Sequence, residues 1–200
     1  MLFHPNIYYT FLFSSLIITL NFFIFKKISK INHQEILIPK LIFYYHLIFS
    51  IFFLLNDIFS IFRISPGSDG LSFYYNSSQM ILFENITFSP GHNFLYYISY
   101  FLNKIYFDFI SSNFIFGILG SLSILLFYIS ISKLLKNNFD KNIIILFILL
   151  PSYNFWSSGI SKDVITLFSL SLLLYSFIKN NFKYLIISLI ILFSVRVHLG

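Results

Sequence analysis

Long apolar runs, separated by short polar stretches, dominate the sequence from one end to the other. Six of these runs approach the ~20 residues that a helix needs to cross a bilayer core. They lie near 7–25, 41–62, 111–132, 143–157, 162–178 and 184–198. The pattern predicts an all-α polytopic membrane helix bundle of about six transmembrane helices, forming a single transmembrane domain over residues 1–200.

One connection, the outer loop 63–111, is longer than the others. Pro66 and Gly67 break the preceding helix, and Asp69–Gly70 predicts a turn. The second half, NFLYYISYFLNKIYFDFI, has apolar and Tyr residues at helical spacing, but Asn103, Lys104 and Asp108 interrupt the pattern. We therefore expect an amphipathic interfacial helix there and not another span.

Composition excludes several classes of site and of fold. With 58% hydrophobic and 10% charged residues, an aqueous globular fold is not expected. The absence of Cys excludes disulfides, thiolate metal sites and cysteine nucleophiles. No His pair has the i, i+4 spacing of a metal site, so no metal ligands are predicted. No cofactor motif is identified, and a requirement for a divalent metal is left open.

The positions of the basic residues predict a topology. Nine of the 13 Lys and Arg residues fall in the connections after the first, third and fifth runs, which places those connections in the cytoplasm and the N-terminus outside. Because the basic residues sort by membrane side and do not gather into one patch, nucleic acid is not an expected partner. The lipid bilayer is the expected partner.

Two positions on the predicted outer side, Asp69 and Lys162, are the first candidates for chemistry. Asp69, one short loop beyond a membrane exit, would accept a proton from a hydroxyl or hold a cation; the alternative is an ordinary turn residue. Lys162 and Asp163 follow the predicted N-cap Ser161, so Lys162 would add a charge beside free backbone N–H groups that suit a phosphate. The alternative is that Asp163 stabilises the helix start while Lys162 extends to lipid headgroups.

Further candidates lie near the outer helix ends. His92, just before the predicted interfacial helix, would exchange protons near neutral pH, or simply anchor the helix. Arg196 lies in an apolar run, where a charge is costly unless it faces a polar cavity or the interface. His198 would face the same site only if the helix breaks near Gly200. Arg63, at the end of the second run, is a further predicted residue for binding the substrate or its phosphate.

In order along residues 60–200, "FR", "GSDGLSFYY", "SPGHNFLYYISYFL", "PSYNFWSSGISKDVITLFSL" and "VRVH" resemble bacterial multipass proteins of surface-polysaccharide assembly. Two groups share these features: C-type glycosyltransferases that use polyprenyl-phosphate-sugar donors, and O-antigen or exopolysaccharide repeat-unit polymerases. The resemblance implies sugar transfer at the outer face of the cytoplasmic membrane from a polyprenyl-phosphate- or pyrophosphate-linked saccharide. It implies Asp69 as the catalytic base or as the group that orients the acceptor, with Lys162 and Arg196 binding the donor phosphates.

This chain departs from the C-type transferases in the position of the acidic residue. C-type transferases usually carry the acidic residue after the first span, whereas Asp69 follows the second predicted one. Both groups are usually longer, which favours the N-terminal part of a longer protein. A transporter or flippase for lipid-linked saccharides, and a non-catalytic membrane protein, are the alternatives. A translocation pathway would require polar residues deep in several spans, and only Asn56–Asp57 stands out in the sequence.

Overall fold

The computed structural model describes residues 7–32, 37–59, 69–79, 90–105, 107–135 and 138–196, with the side chains of residues 69 and 138–142 outside that description. Within these ranges the chain is helical and contains no strand. The helices are α1 Ile7–Ile31, α2 Leu37–Phe59, α3 Asp69–Gln79, α4 His92–Lys104, α5 Phe109–Leu134, α6 Asn138–Ile148, α7 Pro151–Trp156, α8 Lys162–Lys179 and α9 Phe182–Val195. The predicted all-α class is confirmed.

Three of the described helices, α1, α2 and α5, are long and apolar enough to cross a membrane. The count of six spans is not confirmed. The predicted run 143–157 is divided between α6 and α7, and α9 has only 14 residues and ends before Arg196. Helix α8 reaches 18 residues, but Lys162, Asp163 and Lys179 lie at its ends and shorten its apolar part.

Side-chain contacts show how the long helices run. Thr10 of α1 donates to Asp108 at the start of α5, and Asn32 after α1 accepts from Lys133 near the end of α5, so α1 and α5 are parallel. Helix α8 runs the same way, and α9 returns antiparallel to it. The bundle therefore has a basic end, with Asn32, Lys133 and Lys179, and a mixed-charge end, with Asp108, Lys162, Asp163 and Arg196.

The apolar core consists of two clusters, one toward each end of the bundle. One surrounds Ile124, Tyr128 and Ile129 of α5 toward the basic end. The other surrounds Leu95, Phe109 and Ile160 and joins α3, α4 and α8 at the mixed-charge end. Buried apolar contacts thus fix the short helices against α5 and hold their ends in place.

A break separates α6 from α7 where the sequence places Pro151, which lacks the N–H that a continuing helix requires. The Nδ2 group of Asn154 donates to the Ile148 carbonyl at 2.6 Å, at the end of α6, and to the Leu150 carbonyl at 3.1 Å, which also accepts from the backbone N–H of Asn154. After α7 the chain continues through the non-helical residues 157–161 into α8. We call residues 157–161 the unwound segment.

The long connection 63–111 is more helical in its described residues than the sequence predicted. The expected amphipathic helix exists as α4 and ends at Lys104, after which Asp108 caps α5 by accepting from Ser111 N at 2.8 Å. The predicted turn at Asp69–Gly70 is wrong, because α3 begins at Asp69. Gly70 serves a close approach between two segments, described below, and not a turn.

Candidate functional site

The unwound segment lies inside the protein, between α2 and α5. Ser157, Ser158 and Ile160 are each fully buried. Gly120 of α5 permits this approach, because a Cβ atom at that position would lie 1.7 Å from the Ser157 carbonyl oxygen. Non-helical backbone is tolerated at membrane depth only where protein or a water-filled cavity surrounds it. The segment meets that condition.

Side chains and neighbouring turns satisfy the polar backbone of the unwound segment. The N–H of Ile160 donates to Oδ1 of Asn113 in α5 at 3.3 Å, and the N–H of Ser157 donates to the Tyr153 carbonyl at 3.3 Å. The hydroxyl of Ser158 donates to the Asn154 carbonyl. These bonds fix the path of the segment and therefore the position at which α8 begins.

The start of α3 lies directly against the unwound segment. A Cβ atom on Gly70 would lie 2.9 Å from the Ile160 carbonyl oxygen and 3.1 Å from Oδ2 of Asp57 in α2. Only glycine permits this contact without a shift of backbone. Asp69 therefore belongs to a helix start that touches a point two residues before Lys162, although the Asp69 side chain is outside the described part of the chain.

The start of α8 carries charges from two helices. Ser161 is the N-cap, as predicted, and its hydroxyl accepts from Val164 N at 3.3 Å. Asp163 in the first turn forms an ion pair with Arg196, whose Nη2 lies 2.7 Å from Asp163 Oδ1. Arg196 was predicted to bind phosphate directly, but in the structure a neighbouring carboxylate offsets its charge. Lys162, partly buried, adds a further positive charge to this helix start.

Helix α4 brings His92 to the same end of the bundle. The N–H of Gly91 donates to the Ser194 carbonyl at 2.9 Å, two residues before Arg196. The exposed His92 ring packs on Phe73 of α3, with 5.6 Å between ring centroids. This contact fits the anchoring role that the sequence left open for His92, and it holds α3 and α4 together.

A buried tyrosine ties α3 to the connection before α5. The Tyr74 hydroxyl donates to the Phe107 carbonyl at 2.7 Å. Burial, together with the nearby carboxylate of Asp108, raises the pKa of Tyr74 well above its usual range. Tyr74 is therefore a neutral hydrogen-bond donor throughout the physiological pH range.

A polar seam that was not predicted from the sequence crosses the interior of the bundle. It consists of Asn21, His46, Ser50, Ser121 and Asn154, contributed by α1, α2, α5 and α7. Asn21 Nδ2 donates to Ser121 Oγ at 3.0 Å, and His46 Nδ1 lies 3.3 Å from Asn154 Oδ1. A cavity of about 10 Å³ beside His46, Ser50 and Ser121 has room for about one water molecule.

Two residues of the seam gave a signal in the sequence. His46 is an ionisable residue near the middle of an apolar run, and such residues usually mark function in membrane proteins. Asn154 gives a weaker signal, three residues after the helix-breaking Pro151. The pairing of Asp163 with Arg196 had no local signal, because it depends on how α8 and α9 pack.

Of the predicted site residues, Lys162, Arg196 and His92, with the backbone of Asp69, lie at the mixed-charge end. Arg63 and His198 are outside the described residues. Among the side chains that the structure describes, no group of three or more His, Cys, Asp or Glu residues comes together to hold a metal ion.

The all-helical fold, with three described helices long and apolar enough to cross a membrane, indicates the class, a helical membrane protein. No family model, curated protein or solved structure matches the chain. The finer assignment therefore depends on the chemistry of the site itself.

Proposed function

We propose that this protein acts on polyprenyl-phosphate- or pyrophosphate-linked saccharides, as a membrane glycosyltransferase or polysaccharide polymerase. The observation that carries the proposal is the meeting of two helix starts at one end of the bundle. Gly70, the second residue of α3, contacts Ile160, and α8 begins two residues later at Lys162. An acidic residue, Asp69, and a basic residue, Lys162, thus begin neighbouring helices.

The start of α8 suits a phosphate group. The first N–H groups of a helix have no helical acceptors, and the helix dipole favours an anion there. Lys162 contributes a full positive charge at that position, and the Asp163–Arg196 pair adds no net charge. In this proposal Lys162 is the main phosphate-binding residue, and Arg196 acts by fixing Asp163 and the first turn of α8.

The start of α3 supplies the group for proton removal. In the proposed step, the acceptor sugar hydroxyl forms a bond to the anomeric carbon of the donor while the bond from that carbon to the phosphate oxygen breaks. The hydroxyl proton goes to the Asp69 carboxylate, and the phosphate leaves with the bonding electron pair. Lys162 stabilises the negative charge that develops on the leaving phosphate, where electrostatic stabilisation is most effective.

The proposed location is the cytoplasmic membrane, with the mixed-charge end at the outer face and the N-terminus outside. The positive-inside rule supports this orientation, since Lys133 and Lys179 lie together at the other end. A polyprenyl-linked donor would present its phosphate at the interface while its chain stays in the lipid.

A second candidate function is the transport of lipid-linked saccharides between leaflets. The polar seam favours it, because buried polar side chains run through several helices, which the sequence alone did not show. Interrupted helices with ionisable residues at membrane depth are typical of transporters. In the described structure the seam is packed, with a cavity of about one water molecule, so transport would require the helices to separate.

An assay in proteoliposomes separates the two functions. The full chain is supplied with a radiolabelled polyprenyl-pyrophosphate saccharide and an acceptor saccharide, and both new glycosidic bonds and movement between leaflets are measured. We expect new glycosidic bonds, lost in Asp69→Asn and Lys162→Ala and retained in Lys104→Ala. Lys104 is an exposed lysine stacked on Tyr100, which makes it the control for loss of one charge. Movement without new bonds would support transport instead.

A further inference from the structure

At the basic end of the bundle, two lysine side chains from different helices converge. Lys133 belongs to the last turn of α5 and Lys179 to the last turn of α8. Lys133 contacts Asn32, Lys179 lies over the ring of Tyr175, and Asn32 and Tyr175 are hydrogen-bonded to each other, so two like charges lie around one contact. Like charges that lie close together repel, so an anion between them would stabilise the arrangement.

Buried polar side chains hold the two lysines in place. Asn32 and Tyr175 are 4% and 9% exposed, so both belong to the interior. Asn32 Oδ1 accepts from Lys133 Nζ at 3.4 Å and from the Tyr175 hydroxyl at 3.1 Å. Lys179 Nζ lies 5.9 Å from the centroid of the Tyr175 ring. We call Asn32, Lys133, Tyr175 and Lys179 the lysine cluster.

The lysine cluster is rich in hydrogen-bond donors and poor in acceptors. Two ammonium groups supply six N–H donors, whereas Asn32 Oδ1 already accepts two bonds and its Nδ2 group donates to the Ile28 carbonyl at 2.9 Å. The three carboxylates whose side chains the structure describes, Asp57, Asp108 and Asp163, belong to the other half of the bundle. A phosphate group offers the acceptors that the cluster lacks.

We propose that the lysine cluster binds the phosphate headgroup of an anionic phospholipid in the leaflet at the basic end. Exposed apolar side chains flank it, with Leu134 61% exposed beside Lys133 and Phe177 58% exposed two residues before Lys179. The Tyr184 ring lies 6.1 Å from that of Tyr175, and tyrosines are typical of the membrane interface. A phospholipid would place its acyl chains on these apolar surfaces, whereas free phosphate would leave them uncovered.

This site is separate from the proposed catalytic end and does not depend on the proposed function. By binding α5, α8 and the end of α1 at one point, a lipid phosphate would lower the repulsion between Lys133 and Lys179. Basic pockets between membrane helices on the cytoplasmic side commonly bind anionic headgroups. Here the residues that form such a pocket come from three separate segments of the chain.

Native mass spectrometry of the detergent-purified full chain tests the proposal. Phosphatidylglycerol is the anionic probe, and phosphatidylcholine is the zwitterionic one. We expect preferential retention of phosphatidylglycerol. The double variant Lys133→Gln/Lys179→Gln should weaken its binding by tenfold or more, on the order of fivefold for each lysine. The charge-retaining variant Lys133→Arg/Lys179→Arg should bind within about threefold of the unmodified protein.

The control is Lys27→Gln/Lys183→Gln, which removes the same charge from two exposed lysines of other helices. It should bind phosphatidylglycerol as the unmodified protein does. If the control and the cluster variant lost phosphatidylglycerol binding equally, the lipid would be bound by surface charge in general and not at the lysine cluster. That result would overturn the proposed site. Equal retention of both lipids would do the same. Displacement of the lipid by millimolar inorganic phosphate would overturn the assignment to a phospholipid.

Discussion

Arg196 and Asp163 form an ion pair that joins the end of α9 to the first turn of α8, with 2.7 Å between Nη2 and Oδ1. The two side chains are 45% and 49% exposed, so the pair lies at the surface of the mixed-charge end. Its consequence is a division of roles at the start of α8. Asp163 and Arg196 offset each other, and Lys162 brings a further positive charge to this helix start.

Breaking this pair should have a small effect on stability. Water screens charges that are half exposed, so we expect Asp163→Asn and Arg196→Gln each to lower the free energy of unfolding by about 1 kcal/mol or less. A double-mutant cycle measured by denaturant unfolding in detergent should give a coupling energy of about 0.2–1 kcal/mol. A coupling above about 3 kcal/mol would show that the pair is buried and contradict this geometry.

Gly120 should be far less tolerant of alanine than Gly117, one helical turn earlier. An alanine Cβ at 120 would lie 1.7 Å from the Ser157 carbonyl oxygen, so the unwound segment must move, and we expect a loss of about 3 kcal/mol or more. At 117 the nearest atom is the Ser50 hydroxyl at 2.9 Å, which can rotate, and alanine also favours the helix.

Gly117→Ala is thus the matched control, with a change within about 1 kcal/mol. Thermal unfolding of the purified protein measures both variants. Equal melting temperatures for the two alanine variants would mean that the unwound segment does not pack against α5 at Gly120.

Asn154 should be important for stability because it satisfies buried groups at the helix break. Replacement by alanine would remove the buried donor to the Ile148 carbonyl, the part-buried donor to the Leu150 carbonyl and the buried contact with His46. We expect Asn154→Ala to cost about 2–3 kcal/mol. Asn76→Ala, which removes an exposed amide that donates to Ser72, should cost less than about 0.5 kcal/mol. Similar unfolding free energies for these two variants would contradict the burial of Asn154.

The predicted topology can be tested with single cysteines, because the natural chain has none. Lys104→Cys and Lys183→Cys place a thiol at opposite ends of the bundle, and both side chains are exposed. A membrane-impermeant maleimide added to intact cells should label position 104, and position 183 only after permeabilisation. The reverse pattern would show that the protein has the opposite orientation in the membrane. Labelling of both positions in intact cells would overturn the predicted topology.

The parts of the structure that the sequence predicted have local causes. Ser161 caps α8, and the Tyr-rich segment before Lys104 forms α4. Each follows from the backbone chemistry or spacing of a few neighbouring residues.

The parts that the sequence missed depend on packing between distant segments. Gly70 was predicted to form a turn because glycine commonly does, but its function is to admit the Ile160 carbonyl. The contact of Asp163 with Arg196 spans 33 positions in the chain, and that of His46 with Asn154 spans 108. No local pattern predicts which helices come together in that way.

The affinity of the protein for polyprenyl phosphate tests the central claim, that the start of α8 binds the phosphate of a lipid-linked saccharide. The affinity of the detergent-purified protein for a fluorescent polyprenyl phosphate can be measured by microscale thermophoresis. It should weaken by about tenfold in Lys162→Ala, as expected for the loss of one charge-assisted hydrogen bond. It should be unchanged in Lys104→Ala, which removes an equal charge from α4. Binding that is unaffected by Lys162→Ala, or equally weakened by both variants, would contradict the claim.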